Sequence, residues 1–328
     1  MKKLLSAGLC LSMFLLAGCQ GQPQDTTLTI TDQAGREVTF EEPCQTAASG
    51  YYITTTIMIG LQQQDKLTGI EMKPETRPIY AKAAEEILDL PQLGNKKMFN
   101  VEECAKADPD VVFLPVSLES YVEELEALDI PVVLLEPETA DDFEEAVEVI
   151  GKVMGCEDKV DEYKQYEEDL LEKYELDEVE EEPTVYFAGS DLLTCATDDM
   201  YQGEILSYAQ ADNAIDAEGS SWVNIDIETL LAANPDYVFI EAGSLSADDF
   251  KNDARVQELQ AVQNDHVYVF PSTLETWDTP SLSSCLGKLW AASILHPELV
   301  SMDDVEAESV AFYEQFYGFT PEAQDLAL

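Results

Sequence analysis

The sequence predicts an α/β protein of two lobes joined by a long helix, and three observations predict it. The segment Asn100 to Leu114 (NVEECAKADPDVVFL) matches the segment Asp226 to Ile240 (DIETLLAANPDYVFI) without a gap. Residues 139–182, between the two copies, carry one helical pattern. On either side of it, short apolar strands alternate with helical stretches, which is the α/β pattern.

The first element is a leader. Lys2 and Lys3 precede an apolar run from Leu4 to Leu16 that ends in small residues. That run is shorter than the ~20 residues a membrane-spanning helix needs, so residues 1–18 read as a signal peptide. Leu16-Ala17-Gly18-Cys19 reads as a lipobox, with cleavage before Cys19 and a diacylglyceryl group on its sulfur. Two acyl chains hold a soluble domain at a membrane, and this lipid is the only covalent group expected. The polar residues 19–26 form a short lipidated tether.

About three hundred residues follow, enough for two lobes. The expected division is an N-terminal lobe at 27–138, a connecting helix at 139–182 and a C-terminal lobe at 183–328. In each copy of the repeat a capping residue, Asn100 or Asp226, opens a short helix with Glu102 or Glu228 at its second position. The helix stops at Pro-Asp and a buried strand follows. Strands are predicted at Val111–Leu114, Val132–Leu135, Thr184–Ala188, Tyr237–Ile240 and Val267–Phe270. In the connecting segment Phe143, Ala146, Val147, Ile150 and Met154 make one apolar stripe, continued by Val160, Tyr163, Leu170 and Tyr174. Gly155 marks a bend in it.

The 328 residues include 17 Lys and Arg against 67 Asp and Glu, a formal net charge of −50. Such a chain repels nucleic acid and anionic headgroups, so the lipid alone is expected to hold it at a membrane. Outside the leader and Cys19 the cysteines are Cys44, Cys104, Cys156, Cys195 and Cys285. An odd number without close spacing is no disulfide framework, and they read as small buried hydrophobes.

Further along the chain, Ile30-Thr31-Asp32-Gln33-Ala34-Gly35-Arg36-Glu37-Val38, the two Glu…Pro-Asp segments and His266-Val267-Tyr268-Val269-Phe270-Pro271 occur in order. Trp277-Asp278-Thr279-Pro280, His296-Pro297-Glu298 and the aromatic run Phe312 to Gly318 follow. In this order the chain resembles the helical-backbone class of ABC solute-binding proteins, which handle iron-siderophores, haem, cobalamin and, in some members, molybdate or tungstate. The resemblance implies two Rossmann-like lobes joined by a single long backbone helix, a ligand cleft between them and modest hinge motion. It implies a monomer that captures an iron complex, such as a siderophore or haem-like chelate, on the extracytoplasmic face and delivers it to a permease dimer with its ATPase. Cobalamin or a molybdate or tungstate oxyanion is the alternative cargo. Family members grip permease arginines with one glutamate per lobe, and the matching positions are Glu102 and Glu228.

Loops leaving the carboxyl ends of the strands line such a cleft, which places Tyr51, Tyr52, Ser190 and Ser244 there. Trp222 and Trp277 offer aromatic walls and Asp278 an acid, while Arg77, Lys96 and Lys97 are the cations suited to an anionic ligand. The only histidines, His266 and His296, read as structural. A receptor for bare zinc or manganese, which needs a histidine cluster, is therefore disfavoured, and no metal-ligating set is expected. An enzyme is disfavoured too, because no Gly-x-Ser-x-Gly, P-loop or His-Glu-x-x-His occurs. A surface adhesion lipoprotein would account for the anchor and the acidity but not for duplicated lobes with a cleft.

Overall fold

The computed structural model describes residues 27–328 except 175, 177, 178, 180, 181, 218 and 220. The leader, Cys19 and the tether lie outside the described residues, as does most of the acidic run that begins at Asp177.

The described chain opens on a hairpin, β1 (Leu28–Thr31) antiparallel to β2 (Glu37–Phe40). Its turn is organised by the buried carboxylate of Asp32, which accepts from the backbone N–H of Ala34 and Arg36 and from the Arg36 guanidinium. Such Asx geometry competes well with other backbone arrangements. Then come β3 (Ala47–Ser49), α1 (Tyr52–Gly60), β4 (Leu67–Gly69), α2 (Pro78–Ala83) and a second hairpin of β5 (Gly94–Asn95) and β6 (Met98–Phe99). The lobe continues with α3 (Val101–Ala107), β7 (Val111–Pro115), α4 (Val122–Glu126) and β8 (Val132–Leu135). Its parallel sheet has the order β4-β3-β7-β8. Asp32 also accepts from Leu134 N–H of β8 at 3.2 Å, which pins the first hairpin to the sheet edge.

The connection differs from expectation. In place of one helix over 139–182 there are two, α5 (Ala140–Met154) and α6 (Glu157–Lys173). Gly155 has φ +63°, and the Cys156 N–H returns to the Gly151 carbonyl at 2.8 Å, the hydrogen-bonding pattern of a left-handed helix stop. Gly151 lacks the Cβ that would collide with Val160, so α6 folds back along α5. Lys164 of α6 pairs with Glu144 and Glu148 of α5. The fold-back assigns α5 to the first lobe, where it packs on β1 and α1, and leaves α6 to cross to the second, where it packs on α11 (Ser284–Leu295).

The second lobe holds β9 (Thr184–Ala188), β10 (Thr194–Cys195), α7 (Tyr201–Tyr208), β11 (Asp212–Asn213), β12 (Val223–Asn224), α8 (Ile227–Ala233) and β13 (Tyr237–Ile240). After these come α9 (Ala247–Asn252), α10 (Gln260–Gln263), β14 (Val267–Val269), α11, α12 (Met302–Phe312), a π-turn at Tyr313–Tyr317 and α13 (Ala323–Leu326). Its sheet runs β12-β10-β9-β13-β14, with β11 also on β9, and the β9-β13-β14 part is parallel. The lobes therefore share a plan in which β3-β7-β8 corresponds to β9-β13-β14. In each, a capped helix, α3 or α8, ends on a left-handed residue, Asp108 or Asn234, before its strand.

Alternation along the strands divides the core. Val111 and Phe113 of β7 and Phe239 of β13 face one continuous cluster that also takes in α1, α5, α6, α11 and α12. Val112 and Leu114 face a smaller outer cluster with Val101 and Cys104 of α3. Val238 and Ile240 face another with Leu230 of α8. Both sheet faces are thus buried, as parallel sheets require.

Gly155 and Gly35 both have positive φ, but a Cβ at Gly155 would lie 2.7 Å from Pro43 Cβ, whereas nothing approaches one at Gly35. Gly35→Ala should therefore cost about 1 kcal/mol for the left-handed backbone alone, and Gly155→Ala roughly 2–3 kcal/mol with the added collision. Urea denaturation of the two variants measures the difference, and equal losses would show that the tight turn at Gly155 is not constrained by Pro43.

Candidate functional site

Where β3 turns into α1, Tyr52 lines the pocket between the lobes and Tyr51 is buried behind it. Their rings meet edge to face with centroids 5.5 Å apart. Arg77, which immediately precedes α2, lays its guanidinium 3.9 Å from the Tyr52 ring centroid. Its Nε lies 3.4 Å from Glu71 Oε1. Glu71 is buried just past β4, and it accepts from the Tyr80 hydroxyl and the Thr55 hydroxyl, each at 2.7 Å. A carboxylate taken out of water needs such partners, and in acquiring them it fixes the direction of Arg77. The Lys96 ammonium sits 4.9 Å from the Tyr51 centroid and 5.8 Å from that of Tyr52. It also lies 3.9 Å from Glu138 Oε1.

A pocket of about 220 Å³ opens on this wall. Tyr52, Thr56, Thr76 and Arg77 line it from the first lobe, and residues 272–276 and 279–281 line it from the second. Two links strap the lobes beside it: Ile79 N–H donates to the Leu274 carbonyl at 3.3 Å, and Lys82 Nζ donates to Asp325 Oδ2 at 2.8 Å.

On the second lobe Asp278 is fully buried. Its Oδ2 accepts from Ala242 N–H at 2.9 Å, joining the loop after β13 to the segment that follows β14. Its Oδ1 has no partner among the described residues. Burial pushes the Asp278 carboxyl up to about 7. Burial also raises Glu241 on this lobe and Glu136 on the other, where Glu138 adds to the effect. The Tyr52 phenol is raised mainly by burial; Arg77 opposes the rise and Glu138, Glu241 and Asp278 add to it. Charged groups of both lobes therefore converge on Tyr52.

Not every residue expected in the cleft is there. Trp277 is fully buried in the core, its Nε1 donating to the Tyr313 hydroxyl at 3.1 Å. Gly287 of α11 lets the Trp277 backbone close onto that helix, which turns the indole inward and away from any ligand. Lys96, and not Lys97, carries its ammonium over the tyrosines. Lys97 is exposed in the hairpin turn, its backbone N–H held by Asn95 Oδ1 at 2.9 Å. Trp222 packs against Gly189 on the loop after β9, where a Cβ would come within 2.5 Å of the indole. Ser244 braces the same loop through the carbonyls of Gly189 at 3.0 Å and Glu241 at 2.7 Å, and Ser190 is exposed beside it. Glu71 is the positioning residue that the sequence reading did not single out. Its signal is an acid directly after the short segment Leu67-Thr68-Gly69-Ile70.

His266 stacks on Tyr237 at 4.4 Å, and His296 is buried with Nε2 2.9 Å from the Ala209 carbonyl. Both rings are engaged in the framework. No group of three or more His, Cys, Asp or Glu suited to a metal ion occurs among the described residues. The five cysteines are free and buried, and burial raises every thiol. Glu102 and Glu228 are exposed, each in the first turn of a helix whose cap, Asn100 or Asp226, accepts from the N–H three residues on. Neither carboxylate makes a hydrogen bond or ion pair among the described residues.

The family described as periplasmic binding protein matches residues 48–274, which include nearly all of both parallel sheets and the first-lobe wall of the pocket. The chain belongs to the periplasmic binding protein family. The molybdate-binding protein MolA of Haemophilus influenzae is 23% identical over 317 residues, covering 88% of this chain and 90% of MolA. The structure of MolA bound to molybdate superposes with a TM-score of 0.77 at 22% identity, over 90% of this chain and 99% of that one. A periplasmic solute-binding protein of Veillonella parvula gives 0.78 at 20% identity, over 92% and 97%. Helicobacter pylori CeuE in a Ni–His complex gives 0.72 at 18%, over 91% and 97%. At these identities the structural likeness establishes the two-lobed fold. Periplasmic binding proteins are solute receptors rather than enzymes, and they work outside the cytoplasm. Among the described residues no helix is long and apolar enough to cross a membrane.

The folded protein keeps the Asp278 proton up to about pH 7, whereas the ordinary carboxyl loses it near 3.8. The stability this provides is complete below pH ~4 and is lost as pH rises toward 7. Asp278→Asn, which cannot ionise, should melt near the wild-type temperature at pH 4 and above it at pH 8, by an amount worth a few kcal/mol at most. Thermal melts across that range test the assignment, and an offset independent of pH would overturn it.

Proposed function

We propose that the protein is the lipid-anchored receptor of an ABC importer and that its cleft takes a compact, metal-bearing anion. The observation that carries this reading is Arg77, whose guanidinium Glu71 and Tyr52 hold at the wall of the inter-lobe pocket. A guanidinium fixed in this way is a preorganised oxyanion or carboxylate partner, and Lys96 adds a second positive charge beside it. Hydroxyls of Thr56, Thr76, Thr276 and Ser281 line the same space. Its volume of about 220 Å³ is below the ~300–1,000 Å³ of pockets for larger ligands. That size favours a molybdate-type oxyanion, in keeping with the relation to MolA, or a small anionic iron chelate. It disfavours haem or cobalamin.

Anchoring through Cys19 and docking through Glu102 and Glu228 complete the proposal. The lobe at 27–138 and the lobe at 183–328 would each present one unpaired carboxylate to a permease arginine. Helix-dipole stabilisation, worth ~0.3–1 kcal/mol per site, would also favour acids there.

Isothermal titration with molybdate, tungstate, sulfate and ferric citrate tests the ligand class. Arg77→Ala should weaken the binding anion at least ten-fold, about 1.4 kcal/mol, with the fold retained, and Arg77→Lys should lie between. Unchanged affinity in Arg77→Ala would remove the anion site from this pocket. Separately, Glu102→Ala with Glu228→Ala should abolish uptake and leave ligand affinity and melting nearly unchanged. Normal uptake by that double variant would defeat the docking role.

A further inference from the structure

The first lobe carries a groove of about 590 Å³ beside Glu102. Met72, Met98, Phe99, Tyr121, Glu102 and Glu124 line it, and no lysine or arginine does. Met98 is 57% exposed and Met72 40% exposed, so two of the large apolar side chains that stand most open to solvent converge on one concavity. Exposed apolar surface that is concave and rimmed by polar groups marks an interaction site. Methionine is suited to such a surface because its unbranched side chain repacks around different shapes. Met98 stands on the short β5-β6 hairpin, whose ladder pairs Gly94 with Phe99 and Asn95 with Met98. Phe99 anchors that hairpin by packing edge to face on Tyr121, with centroids 6.1 Å apart.

We propose that this groove is the apolar half of the permease-docking surface on the first lobe, taking an apolar side chain that neighbours a basic residue on an extracytoplasmic permease loop. The inference rests on the importer reading above and adds a second contact to Glu102. Charge complementarity selects this occupant. The lining contributes two carboxylates and no base, so a purely apolar or acidic segment would leave Glu102 and Glu124 unanswered. A loop with arginine or lysine beside leucine, isoleucine or methionine satisfies both the carboxylates and the methionines. Such a division, with a desolvated apolar centre and a charged rim, is how specific interfaces combine affinity with orientation.

The test uses the full-length lipoprotein in its own host. A photoreactive benzoylphenylalanine at position 98 should crosslink to a polytopic ABC permease identified by mass spectrometry, and the same group at the remote exposed position 298 should not. A product with a second copy of this chain, or none, overturns the proposal. This arm is independent of what the cleft binds. In parallel, Met72→Asp with Met98→Asp should reduce uptake of radiolabelled molybdate or ferric citrate at least ten-fold while affinity for the same probe stays within two-fold. Normal uptake in that variant, with uptake lost in Glu102→Ala with Glu228→Ala, sinks the groove and leaves the importer reading standing. Normal uptake in both sets sinks the two together.

Discussion

The structure depends on the need of each parallel sheet to bury both of its faces. The inner faces are satisfied jointly: β7, β13, α1, α5, α6, α11 and α12 contribute to one continuous apolar cluster. The outer faces have to be covered lobe by lobe, and the covering pieces are the short helices α3 and α8. Each is tied to its strand by a turn with a left-handed residue before proline, so it must run back antiparallel to that strand. Its first turn therefore lies at the end of the strand that opens toward the cleft. Glu102 and Glu228 owe their matched positions to this requirement of packing, whatever partner they meet.

The sequence shows most clearly those features in which local chemistry and tertiary demand agree. The Pro-Asp strands, both caps and the five predicted strands are recovered within a residue at either end. The helix break was harder to read because the apolar stripe continues across it. Phe143 to Met154 and Val160 to Leu170 all face the same core, so periodicity gives no sign that the chain has reversed. Of the two glycines in the helical pattern, Gly151 and Gly155, Gly155 marks the turn, and its φ of +63° is what makes it a stop. The cleft was legible as a set of loops and not as directions of side chains. Neighbours in sequence part company: Trp277 enters the core while Thr276 lines the pocket, and Lys96 covers the tyrosines while Lys97 stays in the turn. Glu71 escaped notice because its partners, Thr55, Tyr80 and Arg77, come from separate turns of the chain that only folding assembles.

A net charge of −50 on a protein that sets a guanidinium and an ammonium over the Tyr52 ring creates opposed fields at different ranges. Far from the surface an anion feels repulsion, but at physiological salt this fades within ~8 Å. At the pocket wall Arg77 acts over a few ångströms, and several of the nearby carboxyls are raised toward their neutral forms by burial. Capture of an anion by such a site would depend on contact geometry more than on steering.

The two straps beside the pocket have a mechanical meaning. A pair of lobes connected only by a flexible segment opens like a door, with little resistance until it is wide. Here the Ile79–Leu274 and Lys82–Asp325 links and the shared apolar cluster tie the lobes together beside the pocket. Opening beyond a small angle would break the hydrogen bond, which is worth about 1 kcal/mol net, and then begin to wet the core. The molecule should behave as a spring clip, with restoring force that grows steeply with displacement. Its free form would then fluctuate through a narrow range, and wide opening would require work from outside the molecule.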